Sequence, residues 1–143
     1  GLGYAGVSSK ACKGVWRSLI NLARCRAWNA AEGRERFFMS AEDLTTLAGV
    51  CVQQDLALVS LMGLPHVERN GHHFVDGFAG RPKAEAVRFM EAHPDLYADT
   101  SRGPRLAIRD GVLEIGSLDT PGLGATVEPD YGAMDPMPKS GWA

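Results

Sequence analysis

The sequence predicts an α/β chain built on about three parallel strands. Short apolar runs at 4–9, 36–39 and 66–69 alternate with two stretches of helical periodicity. The second of these stretches is apolar around most of its circumference, as a helix covered on more than one side must be. Glycine and proline stand where those helices should end, at Gly33, Gly63 and Pro65. A parallel sheet needs both faces buried, so further strands are expected from elsewhere.

Tyr4 to Ser9 is short, small and apolar and reads as a strand, followed by the loop Lys10-Ala11-Cys12-Lys13-Gly14. A helix follows over Val15 to Asn29. Its apolar stripe is Trp16, Leu19, Ile20, Ala23 and Ala27, with Arg17, Asn21 and Arg24 away from the stripe and Gly33 as its stop. Such a stripe is expected to face the core. Arg36-Phe37-Phe38-Met39 is the next strand. Ser40 stands directly before Ala41-Glu42-Asp43, a Ser-x-x-Asp arrangement that predicts a capped helix from about Ala41 to Met62. A third strand is expected over His66 to Arg69.

Beyond residue 80 the pattern changes. Pro82 opens a short helix, Lys83 to Ala92, which His93-Pro94 ends. Arg105 to Ile115 alternates around Asp110-Gly111, a hairpin signal. From Thr120 onward, Pro121, Pro129, Pro136 and Pro138 break any period, and an extended tail is expected. Residues 1–80 thus read as βα units, and 81–143 as a closing helix, hairpin and tail.

Composition narrows the function classes. With 45% hydrophobic and 22% charged residues the chain is an ordinary globular sequence. Its net charge of -2 supplies no overall basic field for nucleic acid or an anionic membrane, so neither is expected as a partner. Cys12, Cys25 and Cys51 are odd in number and widely spaced, which suits free thiols in a reducing cytoplasm. No apolar run is long enough to span a membrane. Gly1-Leu2-Gly3 lacks an initiator Met and runs at once into a strand, as expected of a chain that begins inside a larger one and equally of a processed or trimmed one.

Three stretches, in this order, resemble the last third of the mandelate racemase and muconate lactonizing group of the enolase superfamily. They are Val7-Ser8-Ser9-Lys10-Ala11-Cys12-Lys13-Gly14, then Met39-Ser40-Ala41-Glu42-Asp43 with the apolar helix after it, then Ile108-Arg109-Asp110-Gly111-Val112-Leu113 followed by Pro121-Gly122-Leu123-Gly124. The resemblance implies the carboxy-terminal portion of a (β/α)-barrel, with chemistry at the carboxy ends of the strands. It implies removal of a proton next to a carboxylate, with a magnesium ion stabilising the enediolate. An acid-sugar dehydratase or racemase is the expected type. The magnesium ligands would lie outside this chain, and the remainder of the barrel, a capping domain and a carboxylate-bearing small molecule would be the partners, in an oligomer. The competing expectation is a non-catalytic fragment that serves as a binding or assembly module.

The resemblance implies Lys10 as the catalytic base, with Lys13 as the other candidate, and Glu42 as the strand-end carboxylate that positions an acid, a base or a substrate hydroxyl. His72 and His73 are candidates for substrate binding. With Asp76 they also invite a metal reading, but adjacent histidines point to opposite sides of a strand and ligate together poorly. His66 and His93 flank prolines and are expected to be structural. Cys12 has no histidine in a nucleophile arrangement and is not expected to react.

Overall fold

The computed structural model describes residues 3–42, 47–68 and 76–136. Strand β1 (Gly6–Ser9) leads through a 3-10 turn (Ala11–Lys13) into helix α1 (Val15–Glu32), then β2 (Phe38–Glu42), helix α2 (Val50–Leu61) and β3 (Val67–Glu68). These three strands form one parallel sheet in the order β1-β2-β3. Ser8 pairs with Ser40 and Ser9 with Ala41, and Glu42 pairs with Glu68. Helix α3 (Lys83–Ala92) follows, then an antiparallel pair of short strands, β4 (Tyr97–Ala98) and β5 (Arg105–Leu106). The fold class is therefore α/β with a three-stranded parallel sheet. Among the described residues no helix is long and apolar enough to cross a membrane.

Strand alternation divides the parallel sheet into two faces. Val7 and Met39 face the helices and pack with Leu19, Leu22 and Cys25 of α1, Leu58 of α2 and Met62 just beyond it. Gly6, Ser8, Phe38, Ser40 and Glu42 point the other way, and Phe38 on that side is 58% exposed. The Phe38 ring lies so close over Gly6 that a Cβ there would meet it and the exposed ring would have to shift. The larger core joins both parts of the chain: Val52 and Leu56 of α2 pack with Phe78, Phe89, Leu96, Tyr97, Leu106 and Leu118.

Helix α1 is placed differently from its sequence pattern. Trp16, Ile20, Ala23 and Ala27 lie in water, and only Leu19 of the stripe is partly buried. The buried residues are instead Ser18, Cys25 and Asn29. Beneath the helix lie groups that need hydrogen bonds, and an apolar stripe would leave them unpaired. The Ser9 hydroxyl donates to that of Ser18 over 2.9 Å. Asn29 Oδ1 accepts the amides of Arg36 (2.9 Å) and Phe37 (2.7 Å), while its Nδ2 donates to the Phe37 carbonyl (2.8 Å) and to Glu35 (2.8 Å). One side chain thereby fixes the approach to β2. Gly33 in the left-handed conformation ends α1, as expected.

The capped helix expected from Ala41 is also corrected, because Ser40, Ala41 and Glu42 belong to β2 and α2 begins at Val50. Pairing with strands on both sides consumes these backbone groups, and this outweighs a local capping signal. The first amide of the helix entrance, Gly49 N–H, donates to the buried Tyr97 hydroxyl over 3.0 Å, and Gln53 Nε2 does so over 3.2 Å. As expected for a helix covered on several sides, α2 buries Val52, Gln53, Asp55, Leu56, Leu58 and Val59.

Helix α3 spans Lys83–Ala92, as its spacing predicts. The Asp110-Gly111 turn forms with both residues at positive φ (50° and 78°), a type I′ geometry closed by hydrogen bonds between Arg109 and Val112. The longer hairpin expected around it does not form. Arg105 and Leu106 pair with Ala98 and Tyr97 instead, which buries Leu106 against the core. Over its described residues, 120–136, the tail holds a 3-10 turn at Tyr131–Ala133 and is otherwise irregular.

His93 is buried between two chain segments. Its Nδ1 meets the Ser117 hydroxyl at 2.9 Å and its Nε2 the Thr126 hydroxyl at 2.8 Å. Burial holds this imidazole below its ordinary value of 6.5, although Asp95 and Ser117 pull the other way. The unfolded chain therefore takes up the proton first as pH falls. The contribution is fully present above about 6.5 and is lost as pH drops through the folded value. Asp76, held low by Arg105 and Arg102, and Glu85, held low chiefly by Arg81, titrate further towards acid. A denaturation midpoint that declines from about pH 7 to 5, and declines less in His93→Gln, is the expected result; an equal slope in both proteins would count against it.

For Asn29, replacement by Asp keeps the acceptor for two amides but removes the donor and sets a charge beside Glu35. Denaturant titration should show a loss of about 1 to 3 kcal/mol for Asn29→Asp, since the Phe37 carbonyl is left unpaired. Unchanged stability would mean that this clamp does not hold β2.

Candidate functional site

Three parallel strands place their carboxy ends along one edge of the sheet. Lys10 directly follows β1, Glu42 ends β2, and Glu68, in register with Glu42, ends β3. Lys10 Nζ and Glu42 Oε1 form an ion pair, with the two side chains 18% and 31% exposed. The pair is partly withdrawn from water, so it is screened less than a surface pair. Beneath it, on the same face, Ser8 stands opposite Ser40. The Ser8 hydroxyl oxygen is buried and has no hydrogen-bond partner among the described residues.

The local sequence accounts for this geometry. Ser8 and Lys10 are two residues apart, as are Ser40 and Glu42, so each pair extends from one face of its strand. Lys10 is positioned by the turn behind it, in which the Lys13 amide donates to the Lys10 carbonyl over 3.0 Å. Gly14, at φ 94°, then redirects the chain into α1. The face away from the helices thus presents, in layers, Phe38 over Gly6, the two serines, and the lysine–carboxylate pair.

Two of the residues expected from the sequence, Lys10 and Glu42, are brought together. Lys13 lies exposed in the turn after Lys10 and makes no ion pair with Glu42. His72 and His73 lie outside the described residues. His93 is buried and bonded to Ser117 and Thr126, away from the strand ends. All three cysteines are free; Cys25 is buried, and that burial pushes its thiol up from its ordinary value. Asp76, at φ 53°, is held by both Arg102 and Arg105, and the histidines with which it would form a metal site lie outside the described residues. Among the described residues no three His, Cys, Asp or Glu side chains converge on a metal site.

Ser8 and Ser40 were not singled out from the sequence. The signal that would have found them is the period of two counted back from Lys10 and Glu42, once those residues are known to share a face. Chemically, the ammonium–carboxylate pair can hold an anionic substrate group through the lysine and can move a proton between an acid and a base held side by side. The unpaired hydroxyl adds a hydrogen-bonding group directly beneath.

Adjacent serines give opposite expectations. Ser9→Ala leaves the buried Ser18 hydroxyl without its partner and should cost about 1 kcal/mol or more, whereas Ser8→Ala removes an unpaired hydroxyl and should be neutral or stabilising. Equal losses in denaturant titration would show that Ser8 has a partner in solution. No protein-family model, curated protein or solved structure matches the chain.

Proposed function

We propose that this chain is the carboxy-terminal part of a cytoplasmic (β/α)-barrel enzyme similar to the mandelate racemase and muconate lactonizing group, which removes the proton next to a substrate carboxylate. The reading favoured is an acid-sugar dehydratase or racemase. The observation that carries it is the Lys10–Glu42 ion pair at the carboxy ends of neighbouring parallel strands, on the sheet face turned away from the helices. This is the edge on which (β/α)-barrels carry their chemistry.

In this reading Lys10 is the proton-transfer group and Glu42 positions it. Ion-paired, Lys10 carries its proton and is ready to deliver it; to accept one it must first release that proton and leave Glu42. Transfer of that proton to the Glu42 carboxylate as substrate opens the pair would leave a neutral amine able to accept the proton from carbon. Ser8 and Ser40 lie beneath as hydrogen-bonding groups; Lys13 remains the other candidate for the base, and His72 and His73 remain candidates for contacts with substrate. A magnesium ion does not fit the described residues, which bring no three ligands together; the proposal assigns its ligands, with the capping domain, to the remainder of the barrel.

The test is solvent deuterium exchange at the carbon next to the carboxylate of an acid sugar. The complete barrel should catalyse it, and Lys10→Ala should lower kcat by about 100-fold or more with KM little changed. Near-wild-type activity in Lys10→Ala, together with an inactive His72 or His73 variant, would transfer the role away from Lys10. Exchange catalysed by the 143-residue chain alone would overturn the proposal that it is a part.

A further inference from the structure

The apolar stripe that α1 turns outward is left over by everything described so far. Trp16 is 78% and Ile20 50% exposed, and Ala23 and Ala27 continue the line in water. By helical rotation of about 100° per residue, the stripe lies roughly 160° from the face of Ser18, Leu22, Cys25 and Asn29 that meets the sheet. Strands added at the edges of the sheet would not cover it. Its surroundings are of one sign: from Tyr4 to Ala31 there is no acidic residue, and Lys13, Arg17, Arg24 and Arg26 are all exposed.

A second surface is its electrostatic opposite. From Asp110 to Pro136 the chain has six acidic residues and no lysine or arginine. Within it Tyr131 (65% exposed) and Met134 (44%) stand in water among Glu128, Asp130 and Asp135. This segment is held firmly: the Asp130 amide donates to Glu85 Oε2 over 2.7 Å, and Glu85 is itself buried and paired with Arg81 of the α3 entrance. Both surfaces join exposed apolar side chains to charge mainly of one sign, Arg81 against the Asp130 carbonyl being a cation at the second, and within one copy neither covers the other.

We infer that the outward face of α1 docks on the 128–135 segment of a second copy of this chain. Trp16 and Ile20 meet Tyr131 and Met134, while Arg17 and Arg24 meet Glu128 and Asp135. The contact made twice, each copy offering both surfaces, closes a two-fold dimer. A pairing of α1 with itself would crowd arginines together at the symmetry axis. An anionic lipid surface would leave the acidic partner segment unused, and Ala23 and Ala27 offer it little apolar depth. The inference is independent of the catalytic proposal, because the stripe faces away from the sheet whether or not a barrel is completed.

Sedimentation of the full chain at micromolar concentration, repeated as salt is raised, tests it. A dimer is expected at low ionic strength, dissociating towards 1 M salt, where the screening length is about 3 Å. Arg17→Glu/Arg24→Glu and Glu128→Lys/Asp135→Lys should each weaken dimerisation by about tenfold or more. The chain with all four changes should dimerise again, because the signs are then exchanged across the same contact. These positions are exposed, and circular dichroism should show unchanged helix content in every variant. A monomer at low salt overturns the inference. So does assembly that ignores both salt and the substitutions, which would assign association to the open sheet edges and leave the catalytic proposal standing. Binding of phosphatidylserine vesicles that depends on Arg17 and Arg24, without self-association, would also overturn it.

Discussion

Both helices of the first part lie on one face of the parallel sheet, and the rest of the arrangement follows from that constraint. The side chains of Val7 and Met39 are committed to α1 and α2. Period-two alternation then sends Ser8, Ser40 and Glu42 to the opposite face, and Lys10 meets Glu42 there. The same strands therefore build the apolar cluster under the helices and the polar layers on the other side. A single residue of register slip would exchange the two sets, burying the carboxylate under α2 and turning Met39 outward. Pairing of β2 with both β1 and β3 guards against that slip.

Buried polar side chains organise the segments that regular structure leaves loose. Asn29 spends both ends of its amide on the backbone entering β2. Tyr97 reaches from the small antiparallel pair to the entrance of α2, and His93 joins the end of α3 to Ser117 and Thr126. Each connects positions far apart in the chain through groups that would be costly to leave unpaired in a dry interior. The larger core, with Phe78, Phe89 and Tyr97 in ring contact, supplies the apolar setting in which those bonds count.

The candidate site and the outward face of α1 draw on different parts of the same helix–strand unit. Lys10 leaves β1 at the sheet edge, and a few residues later Trp16 begins the exposed stripe. One surface is polar and close to the strand ends, suited to a small anionic substrate. The other is broad, apolar and ringed by cations, suited to a macromolecular partner. Neither needs the other to be occupied.

How much of this was legible beforehand depends on whether the signal was local. Helix α3, the end of α1 at Gly33, the three parallel strands and the Asp110-Gly111 turn all follow from periodicity, proline or glycine over a few residues. Lys10 and Glu42 were identified as candidates singly, from a family resemblance in short motifs. Their contact was not legible, because it depends on the register of β1 against β2. The direction of α1 was misread for a related reason: hydrophobic periodicity identifies an apolar stripe but not what lies beneath the helix, and here hydroxyl and peptide groups there required Ser18 and Asn29. The capping pattern at Ser40 likewise yielded to pairing on both sides of β2. By itself, then, the sequence determined the helices, strands and turns whose signals are local, since those preferences are set by neighbouring residues. Only the tertiary structure decided which faces meet, because burial and hydrogen-bond satisfaction are properties of surfaces brought together from distant parts of the chain.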